Sequence, residues 1–299
     1  MSGNNIIRLG VDNSNSTIND STIEFNLINN TAFIDNSVDY EVYIRKCEIP
    51  ISKDLPLFVS REPLYVTLEA TDKNDKPAIF GDDLFRTFSI GNSFTSVMDV
   101  VNALNAKVFN QIEQPYQWCR FTFLSNHRIG FEVVNASVAY KMKVWVDSML
   151  EDLLEDLPIT GDLYFQGHAY KEMISPKPTN ASYEQQESKM KNFVNLKNFR
   201  LYSDLPTEPY WLYDQVNGTT VESSLLGEIT FNSKEMSENT NILYIPNVYS
   251  YNSMRDVGQI TKFRLNVMAY YANGMEVPCT LQKNNYTSIA LVFERKFKI

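Results

Sequence analysis

Histidine is almost missing from this chain, since His127 and His168 are the two among 299 residues. Imidazole is the commonest general base near neutral pH and a frequent metal ligand, so most histidine chemistry has little to work with. No GxSxG elbow accompanies either residue, and no cysteine stands in a nucleophile context, so a Ser-His-Asp or Cys-His triad is disfavoured. Cysteine is scarce as well. Cys47, Cys119 and Cys279 are odd in number, far apart and without CxxC spacing, which argues against a disulfide framework or zinc ribbon and predicts three reduced, buried thiols. Cations are outnumbered: 27 Lys plus Arg against 36 Asp plus Glu leave a net charge of −9. A surface of that sign lacks the footprint that phosphate neutralisation needs, so direct nucleic-acid binding is not expected. No stretch approaches about 18 uninterrupted apolar residues, and residues 1–30 hold no apolar core behind a basic start, so neither a membrane span nor a standard signal is expected. Walker A and GxGxxG loops are absent, and Asp72, Asp75, Asp82 and Asp83 lack EF-hand order, so no cofactor and no metal site is predicted.

What the chain does have is burial capacity: 43% hydrophobic and 13% aromatic residues, too much for a disordered polymer. Much of it alternates. Ile23, Phe25 and Leu27 share one face against Glu24 and Asn26; Val38, Tyr40, Val42 and Ile44 oppose Asp39, Glu41, Tyr43 and Arg45; Leu64, Val66 and Leu68 repeat the pattern. Period two is the mark of a strand with one wet face. Residues 1–20, rich in Asn and Ser with only Ile6, Ile7 and Leu9 as an apolar patch, read as a flexible arm.

The middle third changes period. Ser96 and Asp99 form a capping-box pattern, and Val97, Val101, Leu104, Val108 and Ile112 follow at helical spacing until Pro115. Strands are expected over 118–124, 129–134 and 141–146, and a second short helix opening at Ser148 should bury Leu150, Leu153, Leu154 and Leu157. Residues 171–192, with Pro176, Pro178 and the polar run Glu184 to Ser188, read as a linker. Beyond it the strand pattern returns over 199–203, 225–231, 241–245, 262–271 and 288–297, with Asn273-Gly274 a two-residue hairpin signal. The run Ile289 to Phe293 is apolar on both faces, as a strand covered on both sides would be.

No repeat of 20–50 residues is present. Strands before and after an α+β interruption are most economically a mainly β chain, a single jelly-roll β-sandwich with an inserted α+β domain. The expected division is an arm over 1–20, sandwich over 21–70, insertion and linker over 71–192, and sandwich again over 193–299; two unrelated tandem domains are the alternative.

Two surface constellations carry candidate chemistry. Glu151, Asp152, Glu155 and Asp156 could supply the paired carboxylates of a glycosidase, but helical spacing against Leu150, Leu153 and Leu154 reads as the solvated side of an amphipathic segment. Trp211, with Tyr210 and Tyr213, follows Pro206 and Pro209 in an expected loop. It is the candidate partner contact, as a sugar platform or a protein hot spot, against the plainer reading that it anchors its own loop. The C-terminal Arg295-Lys296-Phe297-Lys298 is a local basic tip, suited to an acidic partner or to protecting an edge strand.

The last hundred or so residues resemble a known family. Phe199-Arg200-Leu201-Tyr202-Ser203-Asp204-Leu205-Pro206, then Leu225-Leu226-Gly227-Glu228-Ile229, then Phe263 to Tyr271 with Asn273-Gly274, and finally Tyr286 to Glu294 are similar to the penton, or minor capsid, proteins of virophages and polinton-like viruses. The resemblance implies a non-enzymatic virion protein, made in the host cytoplasm and carried at the icosahedral capsid vertex. It implies a homopentamer beside the major capsid protein, with the insertion available for a host-surface contact. A receptor- or carbohydrate-binding β-sandwich module of a viral surface is the competing function. Assembly fits the composition, because ring closure through heterologous contacts needs broad, weakly charged side surfaces.

Overall fold

The computed structural model describes residues 6–12, 16–26, 32–33, 40–108, 119–133, 140–173, 181–205, 207, 210–214, 219–230, 241–246, 251–254, 259–283 and 286–295. The chain is mainly β. Its first segment carries β1 (Ile6–Asp12), β2 (Ser16–Asn19), β3 (Thr22–Asn26), β4 (Ala32–Phe33) and β5 (Tyr40–Pro50). The middle carries β6 (Phe58–Asp72), β7 (Phe85–Phe94), α1 (Val97–Lys107), β8 (Cys119–Phe123), β9 (Ile129–Val133), β10 (Tyr140–Asp147), β11 (Ile159–Phe165), β12 (His168–Met173), β13 (Ala181–Glu184) and α2 (Met190–Phe193). Then follow β14 (Leu196–Ser203), β15 (Tyr210–Asp214), β16 (Thr219–Ser223), β17 (Leu225–Thr230), β18 (Asn241–Tyr244) and β19 (Asn252–Ser253). The last elements are β20 (Gln259–Ile260), β21 (Lys262–Tyr271), β22 (Glu276–Pro278) and β23 (Ser288–Arg295). Among the described residues, no helix is long and apolar enough to cross a membrane.

Two compact units result, one from Met1–Leu55 with Leu196–Ile299 and the other from Pro56–Asn195. In the first, one sheet runs β1-β23-β5-β18, with β19 also on β5, and the other runs β17-β14-β21-β3-β2, with β22 on β21. Numbering β1, β3, β5, β14, β17, β18, β21 and β23 as first to eighth, the sheets read 1-8-3-6 and 5-4-7-2. That alternation between sheets is the wrapping of a jelly roll. The insertion enters at the connection between the third and fourth strands.

Strict alternation explains why these segments pair. In β21, Phe263, Leu265, Val267 and Ala269 are buried while Lys262, Arg264 and Asn266 are exposed. Opposite, Phe25 stacks on Phe263 with ring centroids 5.0 Å apart, each burial contributing about 2–3 kcal/mol. β5 would lose its inward phase after Ile44, but a register shift against β23 leaves Arg45 and Lys46 both exposed and returns Cys47 and Ile49 to the core. The sheets meet at Gly227, where a Cβ would stand 3.2 Å from the Ile44 side chain.

Several expectations are corrected here. Residues 1–20 hold two paired strands: β1 lies along β23 from Ile6 opposite Glu294 to Asp12 opposite Ser288, and β2 pairs β3. A segment too polar to form an element alone is held by the backbone hydrogen bonds of its neighbour. The inserted unit begins at Pro56, not at residue 71, so the strand over Leu64–Leu68 belongs to it. The hairpin after β21 uses a three-residue loop, with Tyr271 N–H donating to the Met275 carbonyl at 2.9 Å and Gly274 at φ 81°, not a two-residue turn.

The inserted unit has a five-stranded sheet, β11-β12-β10-β6-β7, and a three-stranded one, β13-β9-β8. One face of the larger sheet gives Leu64, Val66, Leu68, Val144 and Val146 to a core shared with Val97, Val100, Val101 and Leu104 of α1. Ser96 caps α1 as expected, its Oγ accepting from the Asp99 N–H at 3.2 Å. Asn105 clamps the helix to β8, donating to the Phe121 carbonyl at 2.7 Å and accepting its N–H at 3.0 Å.

The expected second helix is a 3₁₀ turn, Ser148–Leu150, followed by further turns. Asp147, not Ser148, caps it. Leu150, Leu153, Leu154 and Leu157 are nonetheless buried, because burial needs only their convergence and not a regular helix. The described residues of the expected linker, 171–173 and 181–192, are structured too, holding the end of β12, β13, the start of α2 and the buried Gln185. Phe193 stacks on Phe58 at 4.4 Å, and the Asn195 side chain bonds both the N–H and the carbonyl of Val59, so entry and exit are pinned together. The expected helix end over Ile112–Pro115, Trp118, and residues 231 and 296–299 lie outside the described residues.

Candidate functional site

The groups singled out for chemistry are dispersed. His127 sits in a turn at φ 57°, its ring 5.9 Å from Phe123. His168 does not lie in a loop as expected. It opens β12, with its ring 4.5 Å from that of Tyr65. The acidic run is divided between two lysines: Lys171 meets Glu151 at 3.2 Å and Asp162 at 2.9 Å, whereas Lys189 meets Glu155, Asp156 and Glu187 at 3.1–3.4 Å. Hydrogen bonds that the Lys189 ammonium donates to those carboxylates, led by Asp156, raise it above the usual lysine range. Carboxylates held by ammonium groups in this way make a surface network rather than a matched acid and base. No group of three or more metal-ligating side chains converges among the described residues.

All three cysteines are free and buried. Burial pushes the Cys47 thiol up to about 12 and also raises Cys119 and Cys279, the opposite of what a nucleophile requires.

Tyr210, Trp211 and Tyr213 lie in β15, a strand of a two-stranded hairpin, where a loop is expected from sequence. Trp211 stands opposite Glu222 and Tyr213 opposite Thr220.

The two outward faces of the jelly roll differ in chemistry. On the sheet containing β21, charges are paired across strands. Arg264 meets Glu24 at 2.7 Å, and Arg200 meets Glu228 at 2.8 Å, contacts Glu276 and lies 3.7 Å over the Tyr270 ring. Burial lowers the basicity of Arg200, but Glu276 and Glu228 more than restore it. The Tyr202 hydroxyl donates to the same Glu276 carboxylate at 2.9 Å. Such a face is complete in water.

On the other sheet, Leu243 of β18 stands opposite Glu48, on the face turned away from buried Cys47 and Ile49, and is 56% exposed. Ile245 is 61% and Tyr251 51% exposed, with Tyr251 edge-on to Tyr43 at 4.9 Å. Apolar side chains gathered at one sheet margin leave a surface that water solvates poorly and a protein partner would cover. Periodicity marks Leu243 and Ile245 as strand residues but cannot mark them as exposed, because that depends on which face the pairing with β5 turns toward the core. The inserted unit has its own exposed aromatic, Tyr164 at 76%, near the tip of the β11–β12 hairpin.

No family model matches the chain, nor does any curated protein. Solved structures do. The mavirus penton protein aligns with a TM-score of 0.64 and 13% identity, covering 97% of this chain and 99% of that one. A chain of the Sputnik virophage structure, solved by cryo-EM, aligns with a TM-score of 0.63 and 13% identity, covering 98% of each. Nearly end-to-end coverage means that the jelly roll and its insertion are both shared, and the chain has that fold.

Proposed function

We propose that this chain is a structural virion protein that acts by assembly, as the penton subunit of an icosahedral capsid, five copies forming a ring beside the major capsid protein. The observation that carries this reading is the jelly roll, with an insertion between its third and fourth strands, matched along almost its whole length by a penton protein. The contrast between the two outward faces supports it: one is a neutralised ladder, the other keeps Leu243, Ile245 and Tyr251 exposed. Dispersed histidines, lysine-bound carboxylates and deeply protonated thiols favour a role without turnover. The Trp211 hairpin and the exposed Tyr164 are the surfaces offered to other partners, Tyr164 on the inserted unit fitting a host-surface contact.

Cross-linking and mass spectrometry of purified particles test the reading. The chain should be found next to the major capsid protein at one ring per fivefold axis, and Leu243→Asp with Ile245→Asp should lower its incorporation while leaving the isolated fold intact. Normal capsids assembled in its absence would overturn the proposal.

A further inference from the structure

The five-stranded sheet of the inserted unit curls on itself. β7 and β11 are its opposite edges, yet Phe85 of β7 and Phe165 of β11 have ring centroids 5.0 Å apart. The concave face so enclosed carries Thr67, 0% exposed, hydroxyl to hydroxyl with Thr87 at 2.8 Å, and Tyr170, 1% exposed, whose hydroxyl faces that threonine pair. It also carries a carboxylate.

Asp147, at the end of β10, is 6% exposed. One oxygen accepts from the Met149 N–H at 3.0 Å and the other from the Tyr65 N–H at 3.3 Å, so a single side chain joins the start of the leucine-bearing turn to β6. In register it stands opposite Tyr170 of β12. None of the described salt bridges includes it. The titratable groups around it are Glu62 and Tyr65 on the β6 side and His168 and Tyr170 on β12. A buried carboxylate with two amide donors and no salt bridge among the described residues is solvated only in part.

We propose that Asp147 is an acid-responsive latch of the inserted unit, its carboxylate taking up a proton on acidification and thereby tightening the junction of β6, β10 and β12. Burial is the largest influence on the group and raises it above the ordinary aspartate range, against the lowering effect of the Met149 and Tyr65 amides. The folded chain therefore binds this proton more readily than the unfolded chain. Stability from this source is complete in acid and is lost as pH rises through the folded value. Asp72, in the same unit, runs the other way: the amide of Lys76 holds it low, so its contribution is lost on acidification. A local measurement separates the two.

Hydrogen exchange of the full chain, corrected for intrinsic rates, should show greater protection over residues 63–67, 144–150 and 168–173 at a pH below the Asp147 midpoint located by carboxyl-carbon NMR than at about pH 7.5. Asp147→Asn should show the acid-level protection already at neutral pH and respond no further, while His168→Gln should keep the response. Equal or lower protection in acid, an unchanged response in Asp147→Asn, or loss of the response in His168→Gln would each overturn the assignment. Should Asp147→Asn fail to fold, carboxyl-carbon NMR of the unaltered chain decides. A titration midpoint above the ordinary aspartate value of about 3.9 is expected, and one at or below it refutes the latch.

Discussion

Replacing Gln185 with leucine should destabilise the inserted unit far more than a polar residue in a polar segment suggests. Its side chain is 1% exposed and makes three hydrogen bonds: Nε2 donates to the Leu153 carbonyl at 2.7 Å and the Glu155 carbonyl at 2.9 Å, and Oε1 accepts the Ile129 N–H at 2.8 Å. Because the segment after Leu150 is a series of turns and not a helix, the Leu153 and Glu155 carbonyls rely on this amide. Leucine fills a similar volume but orphans all three groups. Glu155 can turn to water, leaving two buried orphans at about 1–3 kcal/mol each, less the gain from burying an apolar side chain in place of a polar one, so a net loss of about 3 kcal/mol is expected. That is a large share of an ordinary stability of about 5–15 kcal/mol, and for a unit of this size it corresponds to a fall in Tm of about 6–12 °C. Urea unfolding followed by tryptophan fluorescence measures it, read as a lower midpoint at unchanged slope. Gln185→Glu, which keeps an acceptor but loses the donors and buries a charge, should lose less at about pH 4 than at neutral pH. A Gln185→Leu protein within about 0.5 kcal/mol of the parent would refute the reasoning, since only a surface side chain behaves that way.

Gly167, at φ 85° between Gln166 and His168, closes the β11–β12 hairpin with nothing within 4 Å of a would-be Cβ. Gly167→Val should therefore cost about 1–2 kcal/mol through backbone conformation alone, visible as a lower Tm, and Gly167→Asn should recover most of it. Alkylation with iodoacetamide should be slow for Cys47, Cys119 and Cys279 in the folded chain and complete for all three in denaturant, because burial keeps each protonated; fast native labelling of any one would contradict its burial. Residues 56–195 expressed alone should give a cooperatively unfolding, NMR-dispersed domain, since Phe58, Phe193 and Asn195 already tie its two ends. Ser96→Ala should lower the stability of that unit by about 1 kcal/mol through loss of the α1 cap, as urea unfolding would register.

The sequence by itself determined whatever depends on neighbours a few residues apart. The inward residues of β21, the phase of β5 up to Ile44, the Ser96 cap of α1, the burial of the four leucines between 150 and 157, and the interruption of a β chain by an α+β insertion all follow from local period and capping chemistry. The penton-like fold was legible through a resemblance confined to the strands of the last hundred residues. What only the tertiary structure decided involves partners far apart in the chain. β1 is a strand because β23 lies beside it, nearly the whole sequence away. Gln185 is a core residue because the turns after Leu150 leave carbonyls that only its amide reaches. Leu243 is exposed because β18 turns it to the outward face, opposite Glu48, and Asp147 is enclosed because the sheet curls until Phe85 meets Phe165. Periodicity records which face of an element is apolar, whereas pairing order, curvature and sheet edges arise from the summed packing of segments that no local pattern connects.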